Sequence, residues 1–463
     1  MLIKSKSKPR SPLLLTLTSL LTATATAATP PPPPPPAAAA AAARYTITLP
    51  ATLTPGPITA DFHTPSFDQS TLDAPKLPRT NTTTFDWWHF NAISTTNPNV
   101  SVAVTFSTGG REGHPLSLPD AAGPLPNGTS SSGNSNGNEA PGALWAHVWV
   151  TFEDGRTFRR GVPVRSARVH GSGDAVVSVW EGAGGWMGSE EGMEVEVAIA
   201  GNDNDNNGGG GGEISGRMSF ERIMGPIVQI TNSHIPCSTP ANSSTSLSVE
   251  PDSASQGHGH GHDHGLGWVS VLPDAIVSVD FTVNGERLQF DGYGSHDKEK
   301  QLWSTTPFKT HTKSLTLGRA HVGLYSFLWL SYTPVSGSGS GSGSGSEPTT
   351  PAFSSSFLAR DGTTLTAGCA PGSVRIASGS EMTEGGLVEG FRVVVPGASV
   401  SVATDVEVWD QDRDGHGHEH VRWNGRARGV VTSPGSLGGE GPGPGVGEME
   451  GEEGWAVFER WEY

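Results

Sequence analysis

The chain has 463 residues, a formal net charge of −17 and only 16% charged side chains. A nucleic-acid surface needs a basic face, and this charge balance excludes one. Much of its 62 Gly and 36 Pro lies in low-complexity tracts, so the folded part is shorter than the chain, yet still long enough for two domains. At the N-terminus, Lys4, Lys6, Lys8 and Arg10 precede a short apolar run and the small-residue sites Ala23-Thr24-Ala25 and Ala25-Thr26-Ala27. Residues 1–27 read as a signal peptide, which directs the protein to the secretory pathway or the exterior and leaves no integral membrane segment once removed. Without a working signal the protein would be cytosolic. The sequons at Asn81, Asn99, Asn127 and Asn242 fit a glycoprotein on that route.

Residues 28–44 are a Pro/Ala spacer. Apolar residues then alternate over Tyr45–Leu53, and an aromatic segment follows at Thr84–Ile93. Further alternating or aromatic runs lie at Val100–Phe106, Ala143–Phe152, Val176–Trp180, Met193–Ile199 and Ile214–Arg222. Ile276 to Phe290 reads as a hairpin, with Asn284-Gly285 as its turn. Val374–Ile376, Gly390–Val395, Ser399–Trp409 and Trp455–Trp461 complete the strands. No window carries the period of an amphipathic helix. The pattern predicts an all-β protein of sandwich or barrel type. An N-terminal β-domain is expected over 45–300, with flexible inserts at 127–138, 201–212 and 243–267. A C-terminal β-domain is expected over 301–463, with inserts at 336–348 and 435–454.

Directly after the hairpin come Tyr293, Ser295, His296, Asp297 and Lys298, a phenol, an imidazole, a carboxylate and an amine within six residues. Two-residue periodicity sends Tyr293, Ser295 and Asp297 to one face, and His296 and Lys298 to the other. The tracts His258-x-His260-x-His262-x-His264 and His416-x-His418-x-His420 are metal-like in composition. They sit in Gly-rich or polar stretches without fixed geometry, unlike a dedicated zinc site. Histidines within patterned segments, His89, His147, His296 and His321, are the better ligand candidates. Cys237 and Cys369 could pair in an oxidising compartment or remain free.

Three segments together resemble one family. Asp86-Trp87-Trp88-His89-Phe90, Gly292-Tyr293-Gly294-Ser295-His296-Asp297-Lys298 and Gly318-Arg319-Ala320-His321-Val322-Gly323-Leu324-Tyr325-Ser326 are similar, in order and spacing, to motifs of the carotenoid 1,2-hydratase-like proteins and the fungal Diels-Alderases related to them. Here His89 stands where that family usually has Tyr, and Arg319 precedes His321 in place of the reverse order. The resemblance implies two lipocalin-like or sandwich domains with a ligand pocket between them. It also implies a monomeric enzyme of secondary metabolism that closes a polyketide–amino-acid polyene by intramolecular 4+2 cycloaddition, without cofactor.

Such a reaction needs a shaped apolar cavity and one or two donors to the dienophile carbonyl. Lys298, His296 and Arg319 are the candidate donors, and Asp297 completes the catalytic set. Trp87, Trp88, His89, Tyr293, His321, Tyr325 and Trp329 are the expected substrate-binding residues, with Trp145 and Trp149 as further aromatic wall. A hydratase would use Asp297 as acid and His296 to handle water. A zinc-dependent ring-rearranging lyase or isomerase of the same fold would use His89, His147, His296 and His321 as ligands. A lipocalin-like carrier would need only the apolar cup.

Overall fold

The computed structural model describes residues 44–58, 72–77, 79–110, 142–189, 191–201, 213–223, 227–230, 267–298, 303–304, 308–335, 353–368, 373–383, 386–395, 398–410, 419–431 and 454–462. The four-histidine tract, His416, His418, both cysteines, and the sequons Asn127 and Asn242 lie outside them. At Asn284-Gly285 the backbone turns with φ of 52° and 80°, the pair of positive values a two-residue hairpin loop needs.

Among the described residues, the first sheet comprises β1 (Arg44–Leu49), β2 (Phe85–Ser94), β3 (Ser101–Gly109), β4 (Leu144–Thr151), β5 (Thr157–Pro163), β6 (Ala167–Ser172), β7 (Ala175–Trp180), β8 (Gly184–Gly188), β9 (Gly192–Ile199), β10 (Ile214–Arg222), β11 (Ile227–Ile230), β12 (Gly267–Val283), β13 (Glu286–Lys298) and β14 (Trp303–Ser304). Its main path runs β1-β6-β7-β8-β9-β10-β12-β13-β2-β3-β4-β5, all antiparallel. Leu49 of β1 and Val148 of β4, near opposite ends of that path, belong to one apolar core with Trp88, Phe106, Trp180 and Val197. The sheet therefore wraps around its own interior. A backbone bond from Ala143 to Ala51 draws its two ends together.

The second sheet comprises β15 (Thr312–Val322), β16 (Tyr325–Pro334), β17 (Phe353–Arg360), β18 (Thr363–Gly368), β19 (Arg375–Thr383), β20 (Gly386–Val395), β21 (Ala398–Asp410), β22 (Glu419–Val431) and β23 (Gly454–Glu462). Its order is β18-β17-β16-β15-β23-β22-β21-β20-β19. It too encloses an apolar core, built from Val322, Trp329, Leu358, Val393 and Phe458. One four-residue helical turn, Phe308–His311, leads into β15. The fold is all-β, two large antiparallel sheets of lipocalin-like kind.

A third apolar cluster joins Phe85 and Val271 of the first sheet to Leu315, Leu317, Leu328, Phe357 and Trp461 of the second. Ser101 and Asn424 bridge the sheets with a 2.8 Å hydrogen bond. Because β2 and β3 are covered on both faces, every residue of both strands is buried and their polar–apolar alternation is lost. The sequon residue Asn81 is bound into a turn: its oxygen accepts from the backbone N–H groups of Thr83 and Thr84, and its nitrogen donates to the Gly56 carbonyl.

Candidate active site

β13 presents its functional residues to two different environments. Register pairs Tyr293 with Ile93, Ser295 with Asn91 and Asp297 with His89, so these residues share the face turned toward the second sheet. His296 and Lys298 project into the interior of the first sheet. The division expected from two-residue periodicity is the one found.

On the outward face, a cleft is lined by Asn91, Ile93, Asp274, Tyr293, Arg319, His321, Phe327, Trp455 and Val457, drawn from both sheets. It is small and partly open to solvent. Asp274 reaches it because β12 is irregular: its register with β13 shifts between Ser270 and Leu272, and again between Leu272 and Ala275. Pro273 sits in that irregularity, where a residue without an N–H is tolerated. The Asp274 carboxylate accepts a 2.8 Å hydrogen bond from His321 Nδ1, and a second bond from the Ser326 hydroxyl. The His321 ring stacks on Tyr293, with centroids 3.8 Å apart and planes inclined by 20°. With Nδ1 committed to a carboxylate, Nε2 is the exchanging nitrogen.

Beside this pair, Arg319 joins the Asp297 carboxylate in a close ion pair and donates at 3.0 Å to the Pro273 carbonyl. It therefore ties β13 and the β12 irregularity to the second sheet. Ser270 also donates to Asp297. Deeper between the sheets, Arg422 meets Glu459 at 3.3 Å, both almost wholly buried. Burial, with Arg319 as a like charge nearby, pulls the Arg422 guanidinium down to about 9. Burial, with the Asp274 charge second, raises the Tyr293 phenol above its usual value, so it remains a donor at neutral pH.

On the inward face, His296 and Lys298 are fully enclosed. His296 Nε2 lies 2.7 Å from Asp73 Oδ1, and its Nδ1 donates to the His89 carbonyl at 3.0 Å. Its ring stacks on Phe90 at 4.0 Å. Lys298 Nζ donates to Asp86 Oδ1 at 2.7 Å and stands 3.7 Å above the Trp88 ring. Asp86 also accepts the backbone N–H groups of Lys76 and Leu77, and Trp88 donates to the Asp73 carbonyl. The cluster clasps residues 72–77 onto β2 and β13. Lys298 and His296 were expected to serve with Arg319 as donors to one bound substrate. Neither lines the cleft, because each is one residue out of phase with the face that does.

The other expected residues divide in the same way. Tyr293, His321 and Arg319 line the cleft, and Asp297 braces Arg319. Trp87 and His89 share that face of β2, where His89 Nδ1 meets Thr105 Oγ1 at 2.8 Å. Trp88 and Trp329 fill the cores of the first and second sheets. Tyr325 lies at the start of β16 with the Arg360 guanidinium 5.6 Å from its ring. Trp145, His147 and Trp149 share the outward face of β4. The four candidate zinc ligands do not converge: His89 and His147 flank Thr105 in one cross-strand row, His296 faces inward, and His321 is held by Asp274. Among the described residues no three His, Cys, Asp or Glu side chains gather in a metal-ready group. Sequence reading missed Asp274, Asn91, Trp455 and the clasp carboxylates Asp73 and Asp86. The one local signal was Pro273-Asp274, a proline inside a long strand pattern.

Two antiparallel sheets with a hydrogen-bonded Asp–His pair in the cleft between them define the class of fold. A family model described as Diels-Alderase-like matches residues 132–367, and the chain belongs to that family. It is similar to the quinolone epoxide rearrangement protein asqO of Emericella nidulans, 28% identical over 309 residues, which are 66% of this chain and 67% of that protein. It is also similar to penF of Penicillium thymicola, of the same description, 26% identical over 322 residues, 68% of this chain and 71% of that one. The crystal structure of CghA has the same fold, with a TM-score of 0.55 at 13% identity, over 90% of this chain and 98% of CghA.

Proposed function

We propose that this protein is an isomerase of secondary metabolism that binds an apolar, oxygen-bearing substrate in the inter-sheet cleft and rearranges an epoxide in it. The observation that carries this reading is the Asp274–His321 pair stacked on Tyr293 at the cleft wall. Epoxide opening needs a proton, or a strong hydrogen bond, at the oxygen as its C–O bond breaks. Tyr293, kept protonated, and His321 Nε2, in its protonated form, are the donors at hand. Asp274 holds the imidazole in orientation. The face of an aromatic ring favours the carbocation left behind. A neighbouring C–H or C–C bond then migrates, a carbonyl forms, and the borrowed proton returns to the site. The sequence is redox-neutral and calls for no cofactor. The two similar proteins described as quinolone epoxide rearrangement proteins support it.

The second reading is the 4+2 cyclisation of a polyene. The apolar lining from Ile93, Phe327 and Val457 and the family description favour it. The same donors would then polarise a dienophile carbonyl, and Arg319 would contribute charge.

The test is direct. Purified protein is given an aryl-substituted alkenyl epoxide and, separately, a linear polyene with a terminal acyl lactam, and the products are identified by NMR. Conversion of the epoxide to a carbonyl isomer of equal mass is expected, slowed by about 10²–10⁴-fold in His321→Ala. An untouched epoxide together with a cyclised polyene would transfer the assignment to the second reading.

A further inference from the structure

Residues 72–77 pack against both sheets at once. Leu72 and Leu77 are wholly buried in the apolar cluster that joins the sheets, with Leu315, Leu317 and Trp461 of the second sheet. Asp73 turns the other way, into the interior of the first sheet. Its carboxylate meets His296 Nε2 at 2.7 Å, and neither side chain is exposed. Pro75 stiffens the segment between the two leucines. The His89 carbonyl of β2 holds His296 Nδ1 at 3.0 Å, so the ring is fixed from two sides. Replacing an enclosed ion pair by apolar groups of equal volume is often neutral or stabilising, so stability alone does not account for this one. What the pair supplies is a fixed distance between two elements. One element sits in the junction of the sheets, and the other, β13, carries a wall of the cleft. The outward residues of β13 on either side of His296 are the ones that reach the second sheet: Asp297 pairs with Arg319, and Tyr293 stacks on His321.

We propose that Asp73 is a positioning residue for the cleft. Acting through His296, its reach sets where β13 stands relative to the second sheet, and so the contact between Tyr293 and His321. The coupling holds whatever the cleft binds. Its consequence for catalysis rests on the function proposed above.

The experiment follows the His321 ring protons by NMR in the full chain, assigned by their loss in His321→Gln. A ring stacked 3.8 Å from a phenol lies in its shielding region, so these resonances stand upfield and report the stack. Asp73→Glu keeps the charge and adds one methylene, and it is expected to move them downfield. Asp73→Asn keeps the length, removes the charge and can still bond His296, and it is expected to leave them in place. Val197→Ala, a core truncation on β9, which pairs with neither β2 nor β13, gives the effect of general loosening and is also expected to leave them in place. A shift in Asp73→Asn but not in Asp73→Glu would make charge the cause and overturn the proposal. So would equal shifts in both, no shift in either, or a shift as large in Val197→Ala. Leu72→Ala, which loosens the same segment from the junction, is the second variant if Asp73→Glu does not fold, and unmoved resonances there overturn the proposal too. Epoxide turnover per folded molecule is expected to fall about tenfold or more in Asp73→Glu and to hold in Asp73→Asn. Moved resonances with undiminished turnover would overturn the positioning role. A wild type that leaves the epoxide untouched would sink the proposed reaction, and the resonances would still decide the coupling.

Discussion

Lys298 is the residue whose chemistry changes most once the fold is known. In sequence it is an amine beside His296 and Asp297; in the fold it is a buried cation matched to Asp86 across a distance of 212 residues. Burial lowers its affinity for a proton, and the Asp86 charge opposes that shift. Removing one partner of a buried pair strands the other. Lys298→Met should therefore lower stability by about 3–5 kcal/mol in denaturant unfolding. Adding Asp86→Asn should recover part of that loss, and an additive double variant would show that the two do not interact. Tyr293 supplies a prediction of opposite character. Its phenol is raised by burial, as are those of Tyr45 and Tyr332. The folded protein then holds protons that the unfolded chain releases near pH ~10. This contribution to stability is complete below that pH and is lost as pH climbs through the raised values. An alkaline titration followed by tyrosinate absorbance should show a late class of phenols released with unfolding, and Tyr293→Phe should remove one member. Ionisation of all tyrosines together in the ordinary range would contradict the geometry.

β13 is the element on which both environments depend, and it works because it lies close to β2. A Cβ added at Gly294 would sit 2.4 Å from the Asn91 carbonyl and 2.8 Å from the Phe220 ring. The carbonyl is backbone within a paired strand and has no room to yield. Gly294→Ala should destabilise by about 1–3 kcal/mol in denaturant unfolding, as overpacking does. It should also weaken ligand binding in the cleft, because it displaces Tyr293 and Asn91 together. Wild-type stability in this variant would mean that the two strands are further apart than described. The hairpin that begins β13 was legible in the residues, since Asn-Gly between alternating segments has few alternatives. Its continuation to Lys298 could be read as an alternation of two faces, but that both faces are covered from Gly294 onward could not. β5 and β8, whose short Gly-rich or Arg-bearing segments carry little periodicity, were not legible either, nor was β6, whose alternation over Ala167–Ser172 is only six residues long. β6 and β8 become strands because neighbours on both sides complete their hydrogen bonds, and β5 pairs along one edge with β4.

At the scale of the whole molecule, the cleft exists because two self-enclosed sheets meet over a shared apolar cluster and leave a polar margin beside it. Phe85 belongs to that cluster, edge-on to Phe308 with ring centroids 6.1 Å apart. Phe85→Ala should cost about 3–5 kcal/mol of stability. It should also lower turnover beyond what the fraction unfolded explains, since the cluster sets the spacing of His321 and Tyr293. Activity per folded molecule, with the folded fraction measured by circular dichroism, checks this. An unchanged specific rate would mean that the two walls of the cleft are positioned independently of the cluster.

The sequence by itself determined the all-β class, the turn at Asn284-Gly285, the two-faced character of Tyr293–Lys298 and the place of Arg319 and His321 in one motif. Each of these follows from strand period, turn chemistry or motif, and these are local properties. Only the tertiary structure decided which face of β13 meets the cleft, and that Asp274 and Asn91 belong beside His321. It also decided that Lys298 and His296 are enclosed by Asp86 and Asp73. Those partners lie tens to hundreds of residues apart in the chain. Strand period assigns a side chain to one of two faces, but what covers each face depends on how the two sheets close and dock.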